Sequence, residues 1–131
     1  MQQQGSKVKS ERGQTMTEFT MVLPILVVLL LGIVQFGIIF NHYVTLTDAV
    51  RAGARKAVVS RLSANPVGAC IQQVRDASPN LKQSNLAVSC TSSWQPGQDV
   101  TVTATYPYQV SLLGWVVASG SLNSTMRERV E

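Results

Sequence analysis

Residues 19–40 contain no Asp, Glu, Lys, Arg or His, and only Thr20 and Gln35 among them are plainly polar. As a helix these 22 residues extend about 33 Å, enough for a bilayer hydrocarbon core of roughly 30 Å. A segment of this kind commits the chain to a membrane-length helix before any other element is considered. At its entrance stands one carboxylate, Glu18, five residues after Gly13. An anchor alone does not require that acid. Charge in hydrocarbon costs on the order of 3 kcal/mol even on lenient insertion scales, so Glu18 needs a partner or a purpose.

The stretch Arg12-Gly13-Gln14-Thr15-Met16-Thr17-Glu18-Phe19, running straight into the apolar segment, resembles the cleavage region of type IV prepilins and pseudopilins. The resemblance implies a prepilin peptidase that cuts the Gly13-Gln14 bond on the cytoplasmic side and leaves the helix on the mature protein. Gln14 would become the new N-terminus, and its α-amine could pair with Glu18 of another subunit. Two charges that are costly apart in a low dielectric become tolerable together. A plainer alternative is that Thr15-x-x-Glu18 forms a capping box that opens the helix. An ordinary secretory signal fits less well, because its apolar core should be about 7–15 residues.

The chain has 131 residues, which leaves room for one small domain beyond the anchor. Its formal charge of +4 falls to +2 once residues 1–13 are removed, since Lys7, Lys9 and Arg12 outweigh Glu11 there. The basic residues are scattered, with no aromatic-rich face and no recognised nucleic-acid module, so no nucleic-acid partner is expected. The leader charges favour a cytoplasmic N-terminus, although Arg51, Arg55, Lys56 and Arg61 beyond the span bring the raw count close to a draw. Cys70 and Cys90 both follow the span, as expected for one disulfide in an oxidising compartment, with two free thiols as the alternative. Closing that loop would stabilise a small domain by roughly 3 kcal/mol.

Residues 1–13 read as a polar, unstructured leader, 14–40 as a transmembrane helix, and 41–131 as an extracytoplasmic domain with a stalk helix over 41–62 and a head over 63–131. Pro24 should kink or loosen the span by removing a backbone bond. Beyond it, Tyr43, Leu46, Val50, Ala54, Ala57 and Val58 recur at helical spacing, and Ala49, Gly53 and Ala57 form a row of small residues. That row permits close packing on a neighbouring subunit or on the domain's own sheet. Arg51 and Arg55 share one helical face, to contact a sister subunit or simply to be solvated. Asn65-Pro66 ends the stalk, and a second helix is expected from about 67 to 77, with Cys70, Ile71 and Val74 inward. Period-two alternation then predicts strands around 86–90, 100–106 and 121–130. The expected fold is α+β: a long N-terminal helix, half transmembrane and half amphipathic, packed against a small antiparallel sheet with a short second helix. The apolar stretch 110–118, with Trp115 at its centre, reads as buried core, a membrane-surface contact or a subunit interface; core is the commonest fate of such runs.

With these parts in place the chain resembles the TadE family of pseudopilins from bacterial tight-adherence (Flp) pilus systems. The likeness rests on Arg12-Gly13, Glu18-Phe19, Leu23-Pro24, Gln35-Phe36-Gly37, Ala49-x-Arg51-x-Gly53-Ala54-Arg55, Tyr106-Pro107 and Thr125-Met126-Arg127. Gln35 often corresponds to an acid in that family and Ile38 to a base, so no intramembrane charge pair is assumed here. The resemblance implies a minor pilin-like subunit of the bacterial inner membrane, single-pass, its C-terminal domain periplasmic, that helps to initiate a pilus. Glu18, Phe19 and Pro24 would serve assembly. Its partners would be the membrane, the prepilin peptidase, other pseudopilins and the major pilin, with no small-molecule substrate and no cofactor.

Other classes leave different marks. An enzyme would need more than the single His42 beside the membrane, serines without an evident base, and a head with no paired acids. Two cysteines lack a metal-ligand spacing, so no metal site is expected. A membrane-tethered binding module would not need Gly13 placed as it is relative to Glu18. A pseudopilin of a type II secretion system would share the leader.

Overall fold

The computed structural model describes the backbone of residues 5–130 and the side chains of residues 13–130. In chain order the elements are α1 (Gly5–Val59), α2 (Pro66–Asp76), β1 (Ala87–Thr91), β2 (Asp99–Leu112) and β3 (Trp115–Arg129). This is the expected α+β arrangement of one long helix, one short helix and a three-stranded antiparallel sheet. The chain divides into two compact units, Met1–Phe36 and Gly37–Glu131.

In the first unit the backbone is helical from Gly5, which corrects the expectation of an unstructured leader for residues 5–13; residues 1–4 lie outside the described residues. Propagating an existing helix adds one hydrogen bond per residue fixed, and the Lys, Glu and Arg residues of this stretch do not oppose it. The helix also runs through Pro24 without ending. Thr17 and Thr20 donate their hydroxyls to the carbonyls of Gly13 (2.9 Å) and Met16 (2.8 Å), the back-bonding by which a helical threonine satisfies its own polarity.

The second unit has one hydrophobic core. Leu46, Ala49, Val50, Ala54 and Ala57 of α1 enclose it with Cys70 and Val74 of α2, Leu81, Leu86, Cys90 of β1, Val100, Val102, Ala104 and Tyr106 of β2, and Val130. The helical spacing of the first group and the period of two in β2 place both sets on one side, as the sequence pattern requires. Helix α1 ends at Val59, two to three residues before the expected limit, in a turn where Ser63 N–H donates to the Ser60 carbonyl. Asn65 then caps α2, its side chain accepting from the Gly68 N–H at 2.8 Å, with Pro66 in the first turn where no donor is missed. At the other end, buried Ser78 donates to the Val74 carbonyl at 2.8 Å and Gln83 Nε2 donates to the Ser78 carbonyl at 2.9 Å.

The sheet order is β1-β2-β3. Strand β1 covers β2 only from Thr101 to Thr105, whereas β2 and β3 stay paired from Asp99↔Arg129 to Leu112↔Trp115. From Tyr106 onward the sheet is therefore a two-stranded ribbon, closed by a two-residue turn. Leu113 (φ 52°) and Gly114 (φ 87°) both have positive φ, the pattern of a type I′ hairpin turn. This corrects the strand limits: the last two strands are longer than period-two alternation indicated. It also removes residues 110–118 from the core. Leu113 and Trp115 are 79% and 83% exposed, and Val116 and Val117 are exposed beside them. A run of this length is buried only when a second layer covers it, and among the described residues the core ends at Tyr106.

Candidate membrane anchor and leader junction

Helix α1 is long and apolar enough to cross a membrane, and none of the apolar window is buried inside the protein. Phe19, Leu29, Ile33 and Phe36 all present most of their surface outward. An apolar surface on every side is what a helix needs in order to span a bilayer.

Just ahead of the apolar run, Gln14 Nε2 donates to Glu18 Oε1 at 3.2 Å, one turn away. Both side chains are exposed. Thr15 lies ten residues inside α1, so Thr15 and Glu18 do not form the capping box that remained open from sequence: their backbone donors are already inside a helix. Gly13 is exposed, and a Cβ built on it meets nothing within 4 Å. The fold makes no demand for glycine there, and glycine in a helix interior costs about 1 kcal/mol relative to alanine.

The other residues singled out from sequence separate into two groups. Ala49, Gly53 and Ala57 lie within the domain's own core. A Cβ on Gly53 would collide with Val74 Cγ2 and stand 3.4 Å from the Cys70 carbonyl, so Gly53 is the point where α2 closes on α1. Cys70 and Cys90 are joined in a disulfide that ties α2 to β1. Arg51 and Arg55 are exposed, and Arg51 only approaches Asp48 at 3.9 Å, one turn earlier. Exposed pairs of that kind contribute little, about 0–1 kcal/mol. Pro24 lines a shallow apolar groove on α1 with Ile25, Val28 and Leu29. Trp115 stands at the ribbon tip beside Leu112, Leu113 and Val117.

One contact was not anticipated. The rings of His42 and Tyr106 meet edge to face with centroids 5.6 Å apart, and the Tyr106 hydroxyl accepts from the Lys82 N–H at 3.4 Å. No spacing in the sequence links residues 42 and 106; only the helix-on-sheet expectation, carried down to register, could have paired them. Among the described residues no group of three or more His, Cys, Asp or Glu could hold a metal ion.

Fold and junction together define a class: a small α+β domain, stapled by one disulfide, carried on a helix that continues as a bilayer-length apolar segment. Residues 13–55 match the sequence model of the family described as TadE-like protein. The matched segment opens at Gly13, contains Glu18 and the whole apolar run, and closes at Arg55, as the resemblance led us to expect for this part of the chain. It does not extend to the Tyr106-Pro107 and Thr125-Met126-Arg127 segments of the head. No curated protein and no solved structure gives a significant match to the chain.

Proposed function

We propose that this protein is a membrane-anchored minor pseudopilin that helps to assemble a tight-adherence (Flp) type IV pilus after cleavage of the Gly13-Gln14 bond. The observation that carries the reading is the TadE-like match from Gly13 to Arg55, with the peptidase-type glycine and Glu18 at its head. Independent support comes from Gly13 itself. It is a helix-disfavouring residue at an open position, so the requirement for it lies outside the fold, as a peptidase subsite would supply.

Cleavage changes the electrostatics of the junction. Removing residues 1–13 frees the first backbone N–H groups of the new helix and creates an α-ammonium on Gln14, one turn from Glu18. A carboxylate in the first turn is favoured by the helix dipole and by that amine, from its own chain or from a neighbour. Glu18 thereby becomes a partner that lowers the cost of moving a charged terminus within lipid. The apolar helices of several subunits then pack together and prime addition of the major pilin, with the disulfide-stapled domain on the far side of the membrane.

N-terminal sequencing of membrane-extracted protein, beside a Gly13→Leu variant, tests this directly. The expected result is a start at Gln14 that is lost in the variant. A start at Met1 in both would sink the pseudopilin reading and favour a tethered binding module.

A further inference from the structure

The Gly13-Gln14 bond lies inside a helix, not at a fraying end. Helix α1 opens at Gly5, so residues 5–12 precede the bond in helical form and the rest of α1 follows it. In that state the Gly13 carbonyl points along the axis to the backbone N–H of Thr17, four residues on. The same carbonyl also accepts the Thr17 hydroxyl at 2.9 Å. Two donors of one residue share one acceptor, and that acceptor belongs to glycine, which after proline holds a helix least well.

Hydrolysis at this bond adds water to the Gly13 carbonyl carbon and breaks the C–N bond, leaving a carboxylate on Gly13 and an amine on Gln14. The attacking oxygen must come within about 3–3.5 Å of that carbon with its orbitals aligned. A closed turn whose carbonyl is tied to the next turn does not offer that approach, so the turn has to open first. Opening takes the Thr17 N–H away from the carbonyl. At the head of an apolar run an unbonded carbonyl is costly, and threonine hydroxyls are among the groups that satisfy backbone freed in such helices. A hydroxyl already seated on the carbonyl also competes with the N–H, and back-bonding of this kind slightly weakens and bends a helix. The Gln14–Glu18 contact spans the same turn without touching this carbonyl.

We infer that Thr17 is a positioning residue for cleavage: its hydroxyl, together with Gly13, makes the turn around Gly13-Gln14 the place where α1 opens to a peptidase. This rests on the cleavage reading and deepens it, by locating control of processing in the substrate helix itself. Thr20 supplies the contrast. Its hydroxyl makes the same kind of contact at 2.8 Å, but to the Met16 carbonyl, three residues further on. Both threonines are exposed, so neither holds a core in place.

The test uses the full chain in detergent with purified prepilin peptidase, comparing Thr17→Val, Thr17→Ser and Thr20→Val. Valine keeps the branched shape and nearly the same helix propensity while removing the donor. The expected result is a kcat/KM for cleavage after Gly13 that falls about two- to tenfold in Thr17→Val, the weight of one hydrogen bond, and stays near the unmodified value in the other two. Amide hydrogen exchange at residue 17, read without peptidase, should slow in Thr17→Val. Unchanged or faster cleavage of Thr17→Val overturns the inference. An equal loss in Thr17→Ser or in Thr20→Val overturns it too, since the effect would not follow the hydroxyl on this carbonyl. Slower cleavage with unchanged exchange assigns the hydroxyl to recognition by the peptidase and removes its part in opening. If the unmodified chain is not cut after Gly13, the cleavage reading falls and takes this one with it.

Discussion

Gly53 shows how one absent methyl group organises a domain. At an exposed helical position Gly→Ala normally stabilises, by up to about 1 kcal/mol. Here the added Cβ collides with a methyl of Val74, a stiff and fully buried side chain, and its other close neighbour is the Cys70 backbone. Overpacking of this kind costs about 1–3 kcal/mol, so Gly53→Ala should lower stability in a urea titration, opposite in sign to the propensity effect. Val74→Ala removes the colliding methyl. The double variant should therefore be more stable than the sum of the two single effects, by about 1 kcal/mol or more. Simple additivity would show that α2 does not close on Gly53. At the start of the apolar run, Glu18→Gln keeps shape and the Gln14 contact but abolishes the charge. Under the proposed mechanism it should leave cleavage after Gly13 intact and reduce pilus assembly, read by N-terminal sequencing and by counting sheared filaments. Loss of cleavage as well would move Glu18 from assembly to peptidase recognition.

At the scale of elements, α2 and β1 are short, and the disulfide joins them at Cys70 and Cys90. Neither could hold its place on propensity alone, since isolated helices of this length are marginal. Cys70→Ser with Cys90→Ser should lower stability by about 2–4 kcal/mol, measured by denaturation of the full chain in detergent against the unmodified chain with and without reductant. The second helix and the alternating core of β2 were legible because each rests on local periodicity: Cys70, Ile71 and Val74 at helical spacing, Val100, Val102 and Ala104 facing inward. Asn65-Pro66 was legible only as a break that ends the stalk, and its capping of α2 came from the structure. The ribbon was not legible. Val110, Leu112, Val116 and Val117 read as core ahead of a membrane-surface contact or a subunit interface, because composition records hydrophobicity and says nothing of whether a second layer exists to cover it. The turn escaped for a related reason. Leu113-Gly114 lacks the Asn or Asp that usually marks a type I′ hairpin.

For the whole molecule, a membrane-length helix, a disulfide and a sheet domain could all be anticipated, whereas the choice at the junction between a capping box and a helix interior came only from geometry. Thr15 and Glu18 satisfy a capping-box pattern, but a pattern cannot state where a helix begins, and α1 begins upstream of both. Under the proposed cleavage, leader removal would create a helix terminus where none existed, so that processing and the value of Glu18 would be coupled in a single event.

The hairpin turn carries a cost that is visible in one angle. Leu113 holds a left-handed backbone that asparagine adopts far more cheaply, and such placements cost on the order of 1 kcal/mol for an ordinary side chain. Leu113→Asn should therefore raise the thermal midpoint of the domain, read in a thermal melt of the full chain in detergent beside the unmodified chain. The apex would then be a position where the domain gives up folding stability to keep a greasy side chain at its outermost point, a compromise between holding its shape and holding its surface.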